Sequence, residues 1–279
     1  MMTDLQQTEF EILKEYIAVC ERLKLRYYLV CGSCLGAVKY SGFIPWDDDI
    51  DVAMPREDYR VFCEKAPLLL PEHLFLQTNE SDRNYPNIFA KLRDSRTTYI
   101  EKGMAELDIH HGVYIDVFPL DGYPADEKEQ ERFEKKKTDL KHKINCIYTT
   151  KLDLLHTLMR SLRRLRGYHR HTAQYVEELI ALCSAYDLES SALWCNFGNW
   201  QGKKEYAPRE QYGEGTQAIF EGLQVRVPKD FDAYLSQKYG DWRADLPEDQ
   251  QYGHHYYTVC NVNKPYTTYT QPDPDRRKS

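Results

Sequence analysis

Four aspartates fall within five residues, Asp47, Asp48, Asp49 and Asp51, and the fold has to bring them together at a tolerable electrostatic cost. Two carboxylates about 6 Å apart at an effective dielectric of about 20 repel by roughly 2–3 kcal/mol. Water and salt relieve that repulsion on an exposed loop. The neighbouring residues argue against such a loop. Ile50, Val52 and Met54 alternate with Asp49, Asp51 and Ala53, which is the period of a half-buried strand. The alternation predicts that Asp49 and Asp51 project from one face, where a cation would hold them together. Hard oxygen ligands suit Mg²⁺, with Mn²⁺ as a second candidate, and Mg²⁺ usually brings substrate phosphates with it. Asp48 alternates away from that face, and Asp47 is placed beside it, orienting water or the Trp46 loop.

The residues before the cluster fit a phosphate site. Tyr27 to Val30 form an apolar strand that breaks at Gly32-Ser33, and a short helix follows from Cys34 to Tyr40. Gly32 lets a phosphate approach the backbone, and Ser33 offers a hydroxyl and an N–H near a helix start. Further on, GVYIDVFPLDG (112–122) reads as a buried strand with Asp116 at its centre. An aspartate between Ile115 and Val117 is costly to bury unless it is paired or ligated. Asp116 is thus the third carboxylate of the site, as metal ligand or as general base. Asp121 reads as a turn former before Gly122. IFAKLR (88–93) is another strand, with Lys91 and Arg93 on one face, where they would hold a diphosphate or simply face solvent. Lys39 is a weaker candidate for the same role. Tyr40 and Trp46 are candidates for contact with a base or headgroup, or for core packing.

The chain has 279 residues, no internal repeat, and a net charge of −7, which speaks against a nucleic-acid partner held by a broad basic field. No apolar run reaches the roughly 20 residues that span a membrane. The polar N-terminus carries no secretory signal. Eight cysteines, scattered except for Cys31 and Cys34, suit a reducing, cytoplasmic setting. Cys31-Gly-Ser-Cys34 has the form of a redox pair, but nothing else in the chain is thioredoxin-like. His110-His111 and His254-His255 lack the distant partners that a zinc site needs. Among 22 tyrosines some could cage a quaternary ammonium. Residues 126–200 read as a helical insertion. Within it, 152–170 is basic (Arg160, Arg163, Arg164, Arg166 and Arg170) with leucines at helical spacing, either a core-facing helix or a peripheral contact with an anionic membrane. Residues 201–270 close the catalytic domain begun by 1–125, and 271–279 form a charged, Pro-containing tail.

GSCLGAVKYSGFIPWDDDIDVAM, FAKLRDSRTTYIE (89–101), GVYIDVFPLDGYP (112–124), FEG (220–222) and VPKDFDAYLSQKYGDW (227–242) with LPED (246–249) follow one another in an order that resembles the LicD family of phosphotransferases. Fukutin-related proteins share the central pattern. The resemblance implies an α+β fold, a nucleotidyltransferase-like mixed β-sheet core flanked by helices, with a helical insertion and a C-terminal extension. It also implies transfer of a phospho-alcohol, in bacterial members typically phosphocholine, from a CDP-alcohol such as CDP-choline to a glycan or lipid-linked glycan, a teichoic-acid or lipopolysaccharide sugar, with release of CMP. Carried over, it gives Mg²⁺ ligation to Asp49 and Asp51, donor phosphate to Gly32 and Ser33, and the remaining acidic role to Asp116. Two other readings compete: a true nucleotidyltransferase, and a non-catalytic nucleotide- or glycan-binding module.

Overall fold

The computed structural model describes residues 2–145, 158, 162, 171–199, 201–253 and 256–269. The tail, His254-His255 and almost all of the basic stretch at 152–170 lie outside the described residues. Within that stretch Leu158 and Leu162 are described, and both are exposed.

Helix α1 (Asp4–Leu23) starts on a capping box, in which Thr3 accepts from the Gln6 backbone and Gln6 reaches back to the Thr3 N–H. Its face of Ile12, Leu13, Tyr16, Ile17 and Cys20 is buried in the main core. Strand β1 (Tyr28–Leu29) leads into the short helix α2 (Cys31–Leu35), which continues as one wider turn through Tyr40. Then come β2 (Asp51–Pro55), α3 (Arg56–Lys65), β3 (Leu74–Gln77), β4 (Ala90–Asp94), β5 (Thr98–Glu101) and β6 (Val113–Gly122). The sheet order is β1-β2-β6-β4-β3. Strands β2 and β6 are parallel and the other neighbours antiparallel, so the sheet is mixed. All ten residues of β6 are buried. A central strand covered on both faces reads as a nearly continuous apolar run, and its two aspartates therefore need built partners.

Helices α4 (Glu127–Ile144) and α5 (Thr172–Cys183) pack on each other around a second apolar cluster containing Phe133, Leu140, Leu179, Phe197 and Tyr206. The chain rejoins the sheet through β7 (Leu193–Cys195), which pairs with the end of β6 and with β8 (Tyr206–Pro208). A hairpin of β9 (Thr216–Phe220) and β10 (Leu223–Val227) turns on Glu221-Gly222, both at positive φ, as a two-residue type I′ turn requires. This turn braces the segment 41–43 that leads towards the aspartates. Glu221 N–H donates to the Ser41 carbonyl, the Glu221 carboxylate accepts from Phe43 N–H, and a side chain at Gly42 would strike that carboxylate. Helix α6 (Phe231–Tyr239) and strand β11 (Tyr257–Asn261) complete the order, β11 pairing with β5.

Asp121 is part of the sheet rather than a turn. It lies inside β6, 1% exposed, and accepts two bonds of 2.6 Å from the Arg56 guanidinium. His110 is also structural. Its ring stacks on Phe75, Nδ1 accepts from Gly112 N–H, and Nε2 sits 2.9 Å from Ser95 Oγ. Burial, with help from the Arg93 charge, pushes its pKa down to about 3. An unfolded imidazole protonates near about 6.5, so in acid the unfolded state takes up the proton first. The stability His110 protects is complete above about pH 6.5 and is lost as pH falls towards 3. Thermal melts between pH 7 and 4 should show a falling Tm with a flatter slope in His110→Gln; an unchanged slope would remove His110 as the cause.

Candidate active site

Strand register assembles the site. The parallel pairing of β2 with β6 sets Asp51 opposite Asp116, and the antiparallel pairing of β4 with β6 sets Lys91 on the other flank of Asp116. Asp51, Asp116 and Lys91 thus form one row across the sheet. Lys91 Nζ is 2.8 Å from Asp116 Oδ1, 3.5 Å from Glu101 Oε1 and 3.3 Å above the Tyr114 ring. The Lys91–Asp116 contact is an ion pair buried on both sides. Burial pushes the Asp116 carboxyl above the usual range, Lys91 pulls it back down, and the charges of Glu101 and Asp49 add to the rise.

Arg93 shares the Lys91 face, but its guanidinium is fully engaged by Gln77 of β3, the Gly112 carbonyl and Glu101. At 0% exposure it is enclosed by these partners, in the place of a structural cation. Period-two spacing located its face but carried no information on which groups from β3 and β5 would cover it. Lys39 is also committed elsewhere. Its Nζ binds Asp245 and the carbonyls of Arg243 and Ala244, fastening the C-terminal section. Tyr40 and Trp46 meet edge to face, 6.4 Å between ring centres, and both stay half-buried.

The Gly-Ser step supports the aspartates directly. Ser33 Oγ accepts from Asp51 N–H at 2.8 Å, and its own proton remains available to another acceptor. A Cβ at Gly32 would lie 2.5 Å from Asp47 Oδ2, so glycine is what lets that carboxylate settle on the start of α2. Cys31, at φ +53°, presents its N–H to the Tyr234 hydroxyl and its sulfur to the Asn199 amide. Cys31 and Cys34 are free and buried, and burial pushes both thiols up, away from the thiolate that redox chemistry needs.

The regular strand begins at Asp51, so its alternation does not extend back through Asp47–Asp49. Those three carboxylates each present an oxygen within 4.8 Å of the others, half-buried, and Asp48 lies with Asp47 and Asp49 rather than turned away. Gln6 of α1 donates to the Asp47 carbonyl, and Asp48 packs against Gly253. Such an all-oxygen set fits a hard divalent cation. Asp51 follows this cluster in the chain as the first residue of β2, and Asp116 lies opposite it on β6, held by Lys91. Two contributors escaped sequence reasoning. Glu101 closes the Lys91–Arg93 pair, and its signal was an acid ending a short β-branched strand, TTYIE. Tyr239 of α6 stands within electrostatic reach of Asp51 and Asp47.

The nucleotidyltransferase domain described as LicD/FKTN/FKRP matches residues 24–152, the segment that carries every member of the row. The lipopolysaccharide cholinephosphotransferase LicD of Haemophilus influenzae is 33% identical over 260 residues, 88% of this chain and 92% of that protein. The chain belongs to the LicD family. Its mixed sheet flanked by helices is the nucleotidyltransferase-like fold of that domain. Uncharacterised proteins of Rickettsia typhi and Rickettsia prowazekii match at 33% identity over 58 and 49 residues, 21% and 18% of this chain and 19% and 18% of their own lengths. Among the described residues, no helix of this LicD-family chain is long and apolar enough to cross a membrane.

Proposed function

We propose that this LicD-family protein transfers phosphocholine from CDP-choline to a sugar hydroxyl of a lipopolysaccharide-type glycan and releases CMP. The observation that carries this reading is the Asp51–Asp116–Lys91 row beside the Asp47–Asp49 cluster, in a chain that aligns over nearly its full length with a cholinephosphotransferase. Asp116 takes the acceptor's proton, because burial keeps its carboxyl basic and the Lys91 ion pair keeps it in place. The freed oxygen bonds to the distal phosphorus as the bridging P–O bond to CMP breaks. Ser33 and the α2 backbone hold the donor phosphates, and catalysis is mostly positioning and charge neutralisation. A Mg²⁺ or Mn²⁺ ion on the Asp47, Asp48, Asp49 and Asp51 carboxylates would neutralise the diphosphate.

The test is CMP release from CDP-choline with a lipopolysaccharide acceptor, with Mg²⁺ or with EDTA, for the wild type and Asp49→Ala. Release is expected only with metal and Asp49 present, with phosphocholine on the glycan. A nucleotide on the glycan, or no release from CDP-choline, would overturn the reading.

A further inference from the structure

The backbone bends sharply where β1 gives way to α2. Val30 is extended, and Cys31 then takes φ +53°, in the left-handed region that glycine enters at little steric cost and other residues rarely adopt. A side chain stays in that region only when its surroundings over-determine it, and such residues gather at functional sites. The bend acts directly on the candidate site. Val30 N–H donates to the Asp51 carbonyl at 3.0 Å, and Asp51 N–H donates to Ser33 Oγ at 2.8 Å. The residues on either side of Cys31-Gly32 thus grip both backbone groups of Asp51. Gly32, between them, faces the Asp47 carboxylate. The conformation of Cys31 therefore sets where Ser33 and Asp51 stand relative to each other.

Three side chains hold Cys31, and all come from the last third of the chain. The Tyr234 hydroxyl, on α6, accepts from Cys31 N–H at 3.1 Å. The Asn199 amide donates to the Cys31 sulfur at 3.3 Å. That amide is itself fixed, because its Oδ1 accepts from Gln201 N–H and the Asn199 N–H donates to Asn196 Oδ1. The Lys238 ammonium, one turn beyond Tyr234, stands beside the same sulfur and is ion-paired with Glu205. Lys238 and Glu205 are 2% and 1% exposed. A pair so deeply buried is a weak source of stability, since desolvation offsets most of its attraction. What it does supply is a fixed cation against the one strained residue of the turn.

We infer that Lys238 and Asn199 are positioning residues: through the Cys31 side chain they fix the turn from Val30 to Ser33, so that Ser33 and Asp51 meet the donor diphosphate in one set geometry. The inference rests on the phosphocholine-transfer reading. Cys31→Gly removes the side chain that is held and adopts φ +53° without strain, so a defect in it does not come from the backbone. Its CDP-choline KM should rise by about 10- to 100-fold, the usual span for losing a group that orients a ligand from behind. The acceptor KM and the melting temperature should stay near wild type, whereas a role in packing alone would lower the melting temperature and leave the donor KM unchanged. Cys31→Ser keeps an acceptor for both donors and should retain most of the donor affinity. Asn199→Ala, at a half-buried loop residue, should shift the donor KM in the same direction as Cys31→Gly. A CDP-choline KM within twofold of wild type in the folded variants, a parallel rise in acceptor KM, or a Cys31→Ser variant as impaired as Cys31→Gly would overturn it. Hydrogen exchange of the Asp51 amide, followed by NMR with no substrate present, separates this inference from the transferase reading. Faster exchange in Cys31→Gly at an unchanged melting temperature sustains the positioning role even if CDP-choline is never turned over. Equal exchange in the wild type and the variant refutes it.

Discussion

Asp116→Asn is expected to lower kcat by about 10²- to 10⁴-fold, the usual span for loss of a general base, while CDP-choline affinity stays near wild type. The amide keeps the shape of the carboxylate but cannot accept the acceptor's proton. Lys91 would lose its partner at 2.8 Å, yet Glu101 at 3.5 Å still balances its charge, so the β4–β6 pairing should persist. CMP release at saturating donor and acceptor measures the effect, and a melting curve checks that the variant is folded. A kcat within threefold of wild type would mean that the proton goes elsewhere. A Kd for CDP-choline that rises in step with the fall in kcat would mean that Asp116 serves donor binding instead.

Arg56→Ala should be the most destabilising single change outside the apolar core, by about 3–5 kcal/mol, as expected when one member of a buried ion pair is removed. Arg56 lies 8% and Asp121 1% exposed, and the variant would leave the Asp121 carboxylate buried without its bidentate partner. Burial already pushes the Asp121 carboxyl upward, and Arg56 is the charge that opposes it. In the variant that opposition is gone, so the defect should be largest at high pH and shrink as pH falls and the carboxyl takes up a proton. Urea unfolding at pH 8 and pH 5 reads both the size and the sign. The paired exchange Arg56→Met with Asp121→Leu should recover most of the loss, because it removes both desolvated charges together. A defect independent of pH, or a double variant no better than Arg56→Ala, would show that the pair acts through packing.

Much of the candidate site could be read along the chain because it depends on local pattern. The break at Gly32-Ser33, the apolar run around Asp116 and the acid-apolar alternation from Asp51 to Met54 each announce themselves within a few residues. Ser33 proved to hook the first residue of β2, and Asp116 proved to be central, buried and paired. Alternation misled at Asp48, because a period-two argument holds only where the backbone is a regular strand, and that strand starts at Asp51. It also overvalued Arg93, whose donors are taken by Gln77, Gly112 and Glu101 from neighbouring segments. Asp121 looked like a turn former because Gly122 follows it, and its partner Arg56 lies 65 positions away in sequence.

The sequence by itself therefore determined where acidic groups crowd, ahead of β2 and within β6, and where a glycine breaks the chain beside them, because burial cost and spacing are legible without neighbours. Only the tertiary structure decided which charge answers which. Strand register chose Lys91 for Asp116, β5 supplied Glu101, and α3 delivered Arg56 to Asp121. The physical reason is that a buried charge must be compensated within a few ångströms in space, and nothing in a linear sequence records which distant strand will arrive there.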